Sequence, residues 1–242
     1  VYRHQLHLGE ERPLIPSYVI WLSGCNFSCS FCSDAFALKP PFPGQIFSPT
    51  SLADTVATAI DKLPKPPVTI SFVGGEPAIS LPFISETVLH LKKRLSDCPR
   101  FVLNSNGYIT PAALSASMDF FDIFLFDLKF GSNACAEKLG APDHYLEILH
   151  RNIDIITHKV DKELWVRHLL MPQHLNCCTQ PTISYLSTLK EDVHVNIMSA
   201  FVSFTGNHRN LAPEEVDTAL RLLVEAELKS PFWNGVPLRE II

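Results

Sequence analysis

The sequence predicts an α/β fold with parallel strands, arranged as a partial (β/α)6 TIM-like barrel. Three observations carry this expectation. Six short aliphatic and aromatic runs are each closed by Gly, Pro, Asn or a charge, as strands buried on both faces are. Amphipathic stretches lie between them, with apolar residues three and four apart. The units number about six with no break in composition, fewer than the eight of a closed barrel, so an open barrel is favoured and an open flat sheet is the other arrangement. One domain over residues 1–242 is expected.

The strands are expected at "SYVIWLS" (17–23), "VTISFVGGE" (68–76), "FVLNSNG" (101–107), "DIFLFDLK" (122–129), "LWVRHLLMP" (164–172) and "VHVNIM" (193–198). A helix over 51–63 carries Leu52, Val56, Ala59, Ile60 and Leu63 on one stripe, with Thr50 or Ser51 as its cap. A second, over 80–95, repeats the pattern with Ile84, Val88, Leu91 and Leu95. Further helices are expected over 145–158, 182–189 and 213–228, the last opening with Pro-Glu-Glu. The patches "KPPFPG" and "PKPP" read as loops around the first helix.

Composition removes several functions. Of 242 residues, 46% are hydrophobic and 19% charged, which suits a globular chain with a large core. The formal charge is −5, and no basic run follows a nucleic-acid backbone. The start "VYRHQLHLGEERP" has no apolar core of a secretory signal, and no apolar run reaches membrane-spanning length. Seven cysteines without a disulfide-like spacing favour a reducing cytoplasm.

Polar residues gather at the C-terminal ends of the strands, where ligands bind in parallel α/β folds. The first strand is followed by "GCNFSCSFCSD", which places Cys25, Cys29 and Cys32 within eight residues. Two thiols suggest a redox pair and four suggest structural zinc. Three thiolates on a four-iron cluster leave one iron open for another ligand. The plainer readings are buried small hydrophobes or zinc with a remote fourth ligand. A loop containing Gly24, Asn26 and Ser28 does not read as core.

"CNFSCSFC" is CxxxCxxC with an aromatic before the last cysteine, and it resembles the signature of radical S-adenosylmethionine (radical SAM) enzymes. The resemblance implies a [4Fe–4S] cluster on Cys25, Cys29 and Cys32, with SAM chelating the fourth iron. It implies that an electron splits SAM into methionine and a 5′-deoxyadenosyl radical, which abstracts hydrogen from a substrate. "FVGGEP" resembles the family's GGE motif, so Gly74, Gly75 and Glu76 would meet the SAM amino group, and Phe31 would lie beside the adenine. "LNSNGY", "FLFDLK" and "LWVRHLLMP" resemble successive segments of the pyruvate formate-lyase activating enzymes. "VRHLLMPQHLNCCTQP" followed by "VNIM" resembles their PflX-like branch. By the same resemblance Asn104, Ser105, Asp127, Lys129, Arg167 and Met198 fall among the SAM-binding positions. Three segments depart from the activating enzymes: Ser33-Asp34 stands for His-Asn, Asn104 for an acidic residue, and "ERPLIPSY" for a Gly-Pro-Gly segment.

Each of these residues has a plainer duty. Glu76 could merely cap the helix that follows, but beside two glycines that allow close backbone approach the SAM contact is the favoured reading. Asp127 and Lys129, two apart on a strand, share the face of Ile123 and Leu125 and could be a structural ion pair. Arg167 needs an anionic partner, either SAM, a substrate acid or a structural carboxylate. His168 faces the other way and reads as a packed histidine. Cys177 and Cys178, with His174, suggest a second metal site, but adjacent cysteines are poorly placed to share one ion, and Cys98 and Cys135 have no motif around them.

Two classes of function follow. One is a radical SAM oxidoreductase that activates a glycyl-radical protein or modifies a peptide or small molecule, with a flavodoxin or ferredoxin as electron donor. The other is a non-enzymatic iron–sulfur or zinc protein. Formation of 5′-deoxyadenosine separates them.

Overall fold

The computed structural model describes residues 1–9, 11–189, 193–201 and 209–242. They gather into two compact units. The first comprises Val1–Asn26, Asp34–Ser105 and Ile109–Phe124, and the second Phe27–Ser33, Asn106–Tyr108 and Leu125–Ile242.

In the first unit, β1 (Arg3–His7) runs antiparallel to β2 (Ser17–Leu22), with His4 opposite Ile20. β2 then pairs in parallel with β3 (Thr69–Gly74), and β3 with β4 (Arg100–Ser105). Both faces of β2 and β3 are mostly buried, which is why their sequences are continuous apolar runs instead of alternating ones. Helices α1 (Pro49–Ile60) and α2 (Leu81–Arg94) bury Leu52, Val56 and Ile60 from one and Ile84, Val88 and Leu91 from the other. α3 (Pro111–Ser117) is capped by Thr110.

The start of α1 lies earlier than the periodicity suggests. Ser48, not Thr50 or Ser51, is the cap: its hydroxyl accepts from the Ser51 amide at 3.1 Å, and the Ser51 hydroxyl accepts from the Ser48 amide at 2.9 Å. Pro49 explains the shift, since proline suits the first helical position, where its missing N–H has no intrahelical partner to lose.

β5 (Ile123–Asp127) begins in the first unit and ends in the second. The second unit continues with α4 (Asn133–Lys138), α5 (Tyr145–Thr157), β6 (Glu163–Leu169), α6 (Gln180–Ser187), β7 (His194–Met198), α7 (Pro213–Glu225), β8 (Ser230–Trp233) and β9 (Val236–Pro237). β6, β7 and β8 are mutually parallel neighbours, and β9 turns back antiparallel on β8. Trp165 on β6 stacks on His194 at 4.3 Å and leans on Phe232 at 4.7 Å, tying three strands through one side chain. Among the described residues the strands follow chain order from β1 to β9, mostly parallel, in keeping with the expected α/β partial-barrel class.

All six expected strands are present. The additional strands and α-helices among the described residues are β1, β8, β9, α3 and α4. Each is short, at seven residues or fewer, and gives too few periods for an apolar pattern to register.

Candidate functional site

The tips of β2 and β3 are joined by backbone hydrogen bonds. The Gly75 amide donates to Leu22 O and the Glu76 amide to Gly24 O, both at 2.8 Å. The joint needs glycine. A Cβ on Gly74, which sits at φ +113°, would overlap the Leu22 backbone, and one on Gly75 would overlap the Gly24 carbonyl. The Gly-Gly pair therefore has a structural duty besides any ligand: it lets the β3 tip approach the residue just before Cys25. The Cys25 thiol is half-exposed.

Glu76 is buried, at 1% exposure. Its Oε1 accepts from the Ala78 amide at 2.8 Å and from the Ser105 hydroxyl at 2.7 Å. The expected cap is thus present, and Ser105 at the end of β4 fixes the carboxylate's orientation. Asn104, beside it, is half-buried.

In the second unit the remainder of the cysteine loop is held by α4's C-terminal turn. The Ser28 amide donates to Gly140 O at 2.9 Å and the Ser30 amide to Leu139 O at 3.1 Å. Gly140 is at φ +100°, and a Cβ there would overlap the Ser28 carbonyl. The Cys32 amide donates to Cys29 O at 3.2 Å, closing a tight turn. The loop's two phenylalanines are its anchors. Phe27 lies edge-on to Tyr108 and Tyr145 at 5.6 and 6.0 Å, and Phe31 meets Phe130 and Phe201 at 6.1 and 6.3 Å. Both rings are buried while the Cys29 and Cys32 thiols are half-exposed. Aromatic residues alternating with cysteines therefore turn the rings inward and leave the sulfurs accessible.

The same unit brings Asp127, Lys129 and Arg167 together. Lys129 Nζ lies 2.6 Å from Asp127 Oδ2, and Arg167 Nε lies 2.9 Å from Asp127 Oδ1. The expected ion pair is a triad of two cations on one carboxylate. Burial would raise the Asp127 pKa, but Arg167 and then Lys129 overcome it and hold the carboxyl down at about 2. Lys129 lies just past β5, not on it: its amide turns back to Asp127 O at 3.0 Å and donates to the Tyr145 hydroxyl at 2.7 Å. It reaches the carboxylate from this turn, not through strand alternation. Met198 ends β7 opposite Leu169, and its carbonyl accepts from the Leu170 amide at 2.9 Å.

His168 is a packed histidine, as its position on the other face implies. It is fully buried, with Nδ1 2.7 Å from Leu128 O and Nε2 3.0 Å from Thr179 Oγ1. A carbonyl can only accept, so Nδ1 carries the proton and Nε2 accepts from the threonine. Burial pushes its pKa down to about 4. The unfolded chain takes up this proton first, so the stabilisation is complete above about pH 6.5 and is lost as pH falls toward 4. A denaturant series from pH 7 to pH 4 should show a loss of roughly 3 kcal/mol that is absent from His168→Gln. An equal acid loss in that variant would assign the effect to other groups.

The sequence and the fold have counterparts among known proteins. Residues 19–186 match the family model of the Radical SAM superfamily, and the chain belongs to that superfamily. An uncharacterised protein of Methanocaldococcus jannaschii is 34% identical over 229 residues, a match covering 90% of this chain and 64% of that protein. The chain thus spans less than two thirds of that relative's length. The crystal structure of a radical SAM methyltransferase from Sphaerobacter thermophilus is similar with a TM-score of 0.69 at 12% identity, over 90% of this chain and 66% of that one. A domain of a pyruvate-formate lyase-activating enzyme from Bacteroides vulgatus is similar with a TM-score of 0.52 at 14% identity, over 67% of this chain and 96% of that one. At these identities the likeness is one of fold. Membership of that superfamily implies a [4Fe–4S] cluster and SAM as the cofactors of this domain. The residues fit these groups: a loop presents three thiols, and a buried carboxylate stands at a glycine-lined strand tip. Among the described residues no helix is long and apolar enough to cross a membrane.

Proposed function

We propose that the chain is an activating-enzyme-like radical SAM oxidoreductase, acting as one domain over residues 1–242. Its substrate in this reading is a glycine-bearing protein segment, from which it abstracts a hydrogen atom. The observation that carries the SAM chemistry is Glu76, a buried carboxylate fixed by Ser105 and the Ala78 amide at the strand tip joined to Gly24. The activating-enzyme assignment has narrower support, namely the "FLFDLK" and "LWVRHLLMP" segments and the fold shared with the activating-enzyme domain.

When bound, the reduced cluster supplies the electron that cleaves SAM, and the adenosyl fragment supplies the hydrogen-abstracting radical. The chain's residues do the rest. Cys25, Cys29 and Cys32 hold the cluster. Backbone groups of Gly74 and Gly75 and the carboxylate of Glu76 receive the SAM ammonium, with Ser105 and Asn104 setting that edge. Phe31 orders the loop on the adenine side. Asp127, Lys129, Arg167 and Met198 bound the SAM site at the strand ends, with the Arg167 guanidinium as the group suited to a carboxylate. A flavodoxin or ferredoxin delivers the electron in the cytoplasm.

The test is anaerobic incubation of the reconstituted protein with SAM, a strong reductant and a glycyl-radical-type peptide deuterated at the glycine α-carbon. Deuterium should appear in 5′-deoxyadenosine. Unlabelled 5′-deoxyadenosine rejects this substrate and leaves peptide or small-molecule modification at another carbon. No 5′-deoxyadenosine with any reductant removes the enzymatic reading.

Glu76→Gln separates SAM binding from capping. Glutamine keeps an acceptor for Ala78 and Ser105 but no charge. A hydrogen bond to a charged group contributes about 1.5–3 kcal/mol, so SAM affinity should fall about tenfold or more while the melting temperature stays near wild type. Unchanged affinity would leave Glu76 as a cap alone.

A further inference from the structure

A second cluster of ligating side chains stands apart from the CxxxCxxC loop in sequence. Cys135, His174, Cys177 and Cys178 place one ligand atom each within 4.8 Å of one another. Cys177 Sγ lies 3.3 Å from His174 Nδ1 and 4.0 Å from Cys178 Sγ, and Cys178 Sγ lies 3.8 Å from His174 Nδ1. We propose that these four residues form a tetrahedral Cys3His zinc site, which fastens α4 to the turn before α6 and so steadies the loop that carries the cluster cysteines.

The distances select the metal chemistry. With Zn–S of about 2.3 Å and Zn–N of about 2.0–2.1 Å, the edges of a tetrahedron are about 3.8 Å between sulfurs and about 3.6 Å between sulfur and nitrogen. The observed separations cluster around those edges. A cluster spreads its thiolates over several irons and needs them farther apart. Three thiolates and a neutral imidazole on a dication leave one net negative charge, and Lys138, one turn on from Cys135, is the nearby cation.

The adjacency of Cys177 and Cys178, which argues against shared ligation in an extended chain, is resolved by the backbone. Leu175–Thr179 form a π-turn, with the Thr179 amide on His174 O at 3.2 Å and the Gln180 amide on Leu175 O. Within this turn the Cys177 and Cys178 sulfurs both come to His174 Nδ1, at 3.3 and 3.8 Å. Pro181 accounts for the wide turn. It has no N–H to give to Cys177 O, so the regular ladder cannot run through this point, and the turn ahead of it opens by one residue. Cys135 completes the set from α4. Gly131, just before that helix, makes room: a Cβ there would overlap the Cys178 backbone.

The connection to the radical chemistry runs through α4. Its C-terminal residues Leu139 and Gly140 carry the carbonyls that hold the Ser28 and Ser30 amides. Zinc on Cys135 thus anchors the helix whose end seats Cys29 and Cys32.

The test begins with Cys25→Ala/Cys29→Ala/Cys32→Ala, which removes the other thiol site. Produced with zinc in the medium, it should hold about one zinc per chain, with X-ray absorption giving three sulfurs at about 2.3 Å and one nitrogen. Zinc below a tenth of an equivalent, a coordination shell without sulfur, iron in place of zinc, or a disulfide among the three thiols would each overturn the proposal. In the otherwise wild-type chain, Cys135→Ser/Cys177→Ser should lose the zinc and, in the folded fraction, lose iron to a chelator at least severalfold faster. If that variant does not fold, cobalt added to the chelator-stripped triple-alanine chain decides the same question. Visible bands of a tetrahedral cobalt thiolate support the site, and an octahedral spectrum rejects it.

Discussion

A chain with Cys25, Cys29 and Cys32 all changed to alanine is expected to be colourless after anaerobic reconstitution, and to lose the roughly four irons per chain of a [4Fe–4S] site. SAM cleavage should fall to background, because the cluster that passes the electron to SAM would have lost its ligands. The fold should survive. The thiols are half-exposed, whereas the loop is anchored by the buried rings of Phe27 and Phe31 and by backbone bonds to Leu139 and Gly140. Removing a half-exposed sulfur leaves no sealed cavity, so the change in unfolding free energy should stay within about 1 kcal/mol. Iron and sulfide analysis, with visible absorption, reads the result. Four irons retained in this variant would place the cluster elsewhere in the chain. Such a result would also conflict with the close spacing of Cys135, Cys177 and Cys178, which suits a single ion.

The central strands and the cysteine loop are legible from the sequence because each carries a strong local signal. Continuous apolar runs mark β2 to β7, and three thiols in eight residues have few structural explanations. What escapes depends on pairs far apart in the chain. Arg167 is recognisable as needing an anion, but 40 residues separate it from Asp127, and only the fold shows that one carboxylate serves both Arg167 and Lys129. Cys135 has no motif because its ligand partners stand about 40 residues on, and the signal that could have suggested them, Pro181 four residues after Cys177, reads in sequence only as a helix start. Leu139 and Gly140 are in the same position. The positive φ of Gly140 is visible only when the chain it approaches is in place.

The triad changes what a charge deletion should do. A simple pair would predict that Lys129→Met strands Asp127 and costs roughly 3–5 kcal/mol. Asp127 also holds Arg167 at 2.9 Å, so the carboxylate stays paired in that variant. The expected loss is one charge-assisted hydrogen bond, about 1.5–3 kcal/mol at most, and less for side chains that keep some exposure. Asp127→Ala is the severe change. It removes the carboxylate that both cations contact, and a loss of up to roughly 3–5 kcal/mol is expected. For a chain of this size that lowers the melting temperature by roughly 10 °C. Acid titration gives an independent check. The Asp127 pKa is depressed to about 2, so its stabilisation is present above about pH 4 and disappears as pH falls toward 2. The Asp127→Ala variant should lack that part of the acid unfolding curve. Thermal unfolding and SAM cleavage, measured on the same preparations, then sort the roles. If Lys129→Met stays close to wild type in stability and loses cleavage, Lys129 acts on SAM. If cleavage per folded molecule is normal in Lys129→Met and in Arg167→Met, the triad only ties β5 to β6. A melting temperature for Asp127→Ala no lower than that of Lys129→Met would show that the two cations do not depend on the carboxylate, and would remove the triad as a structural unit.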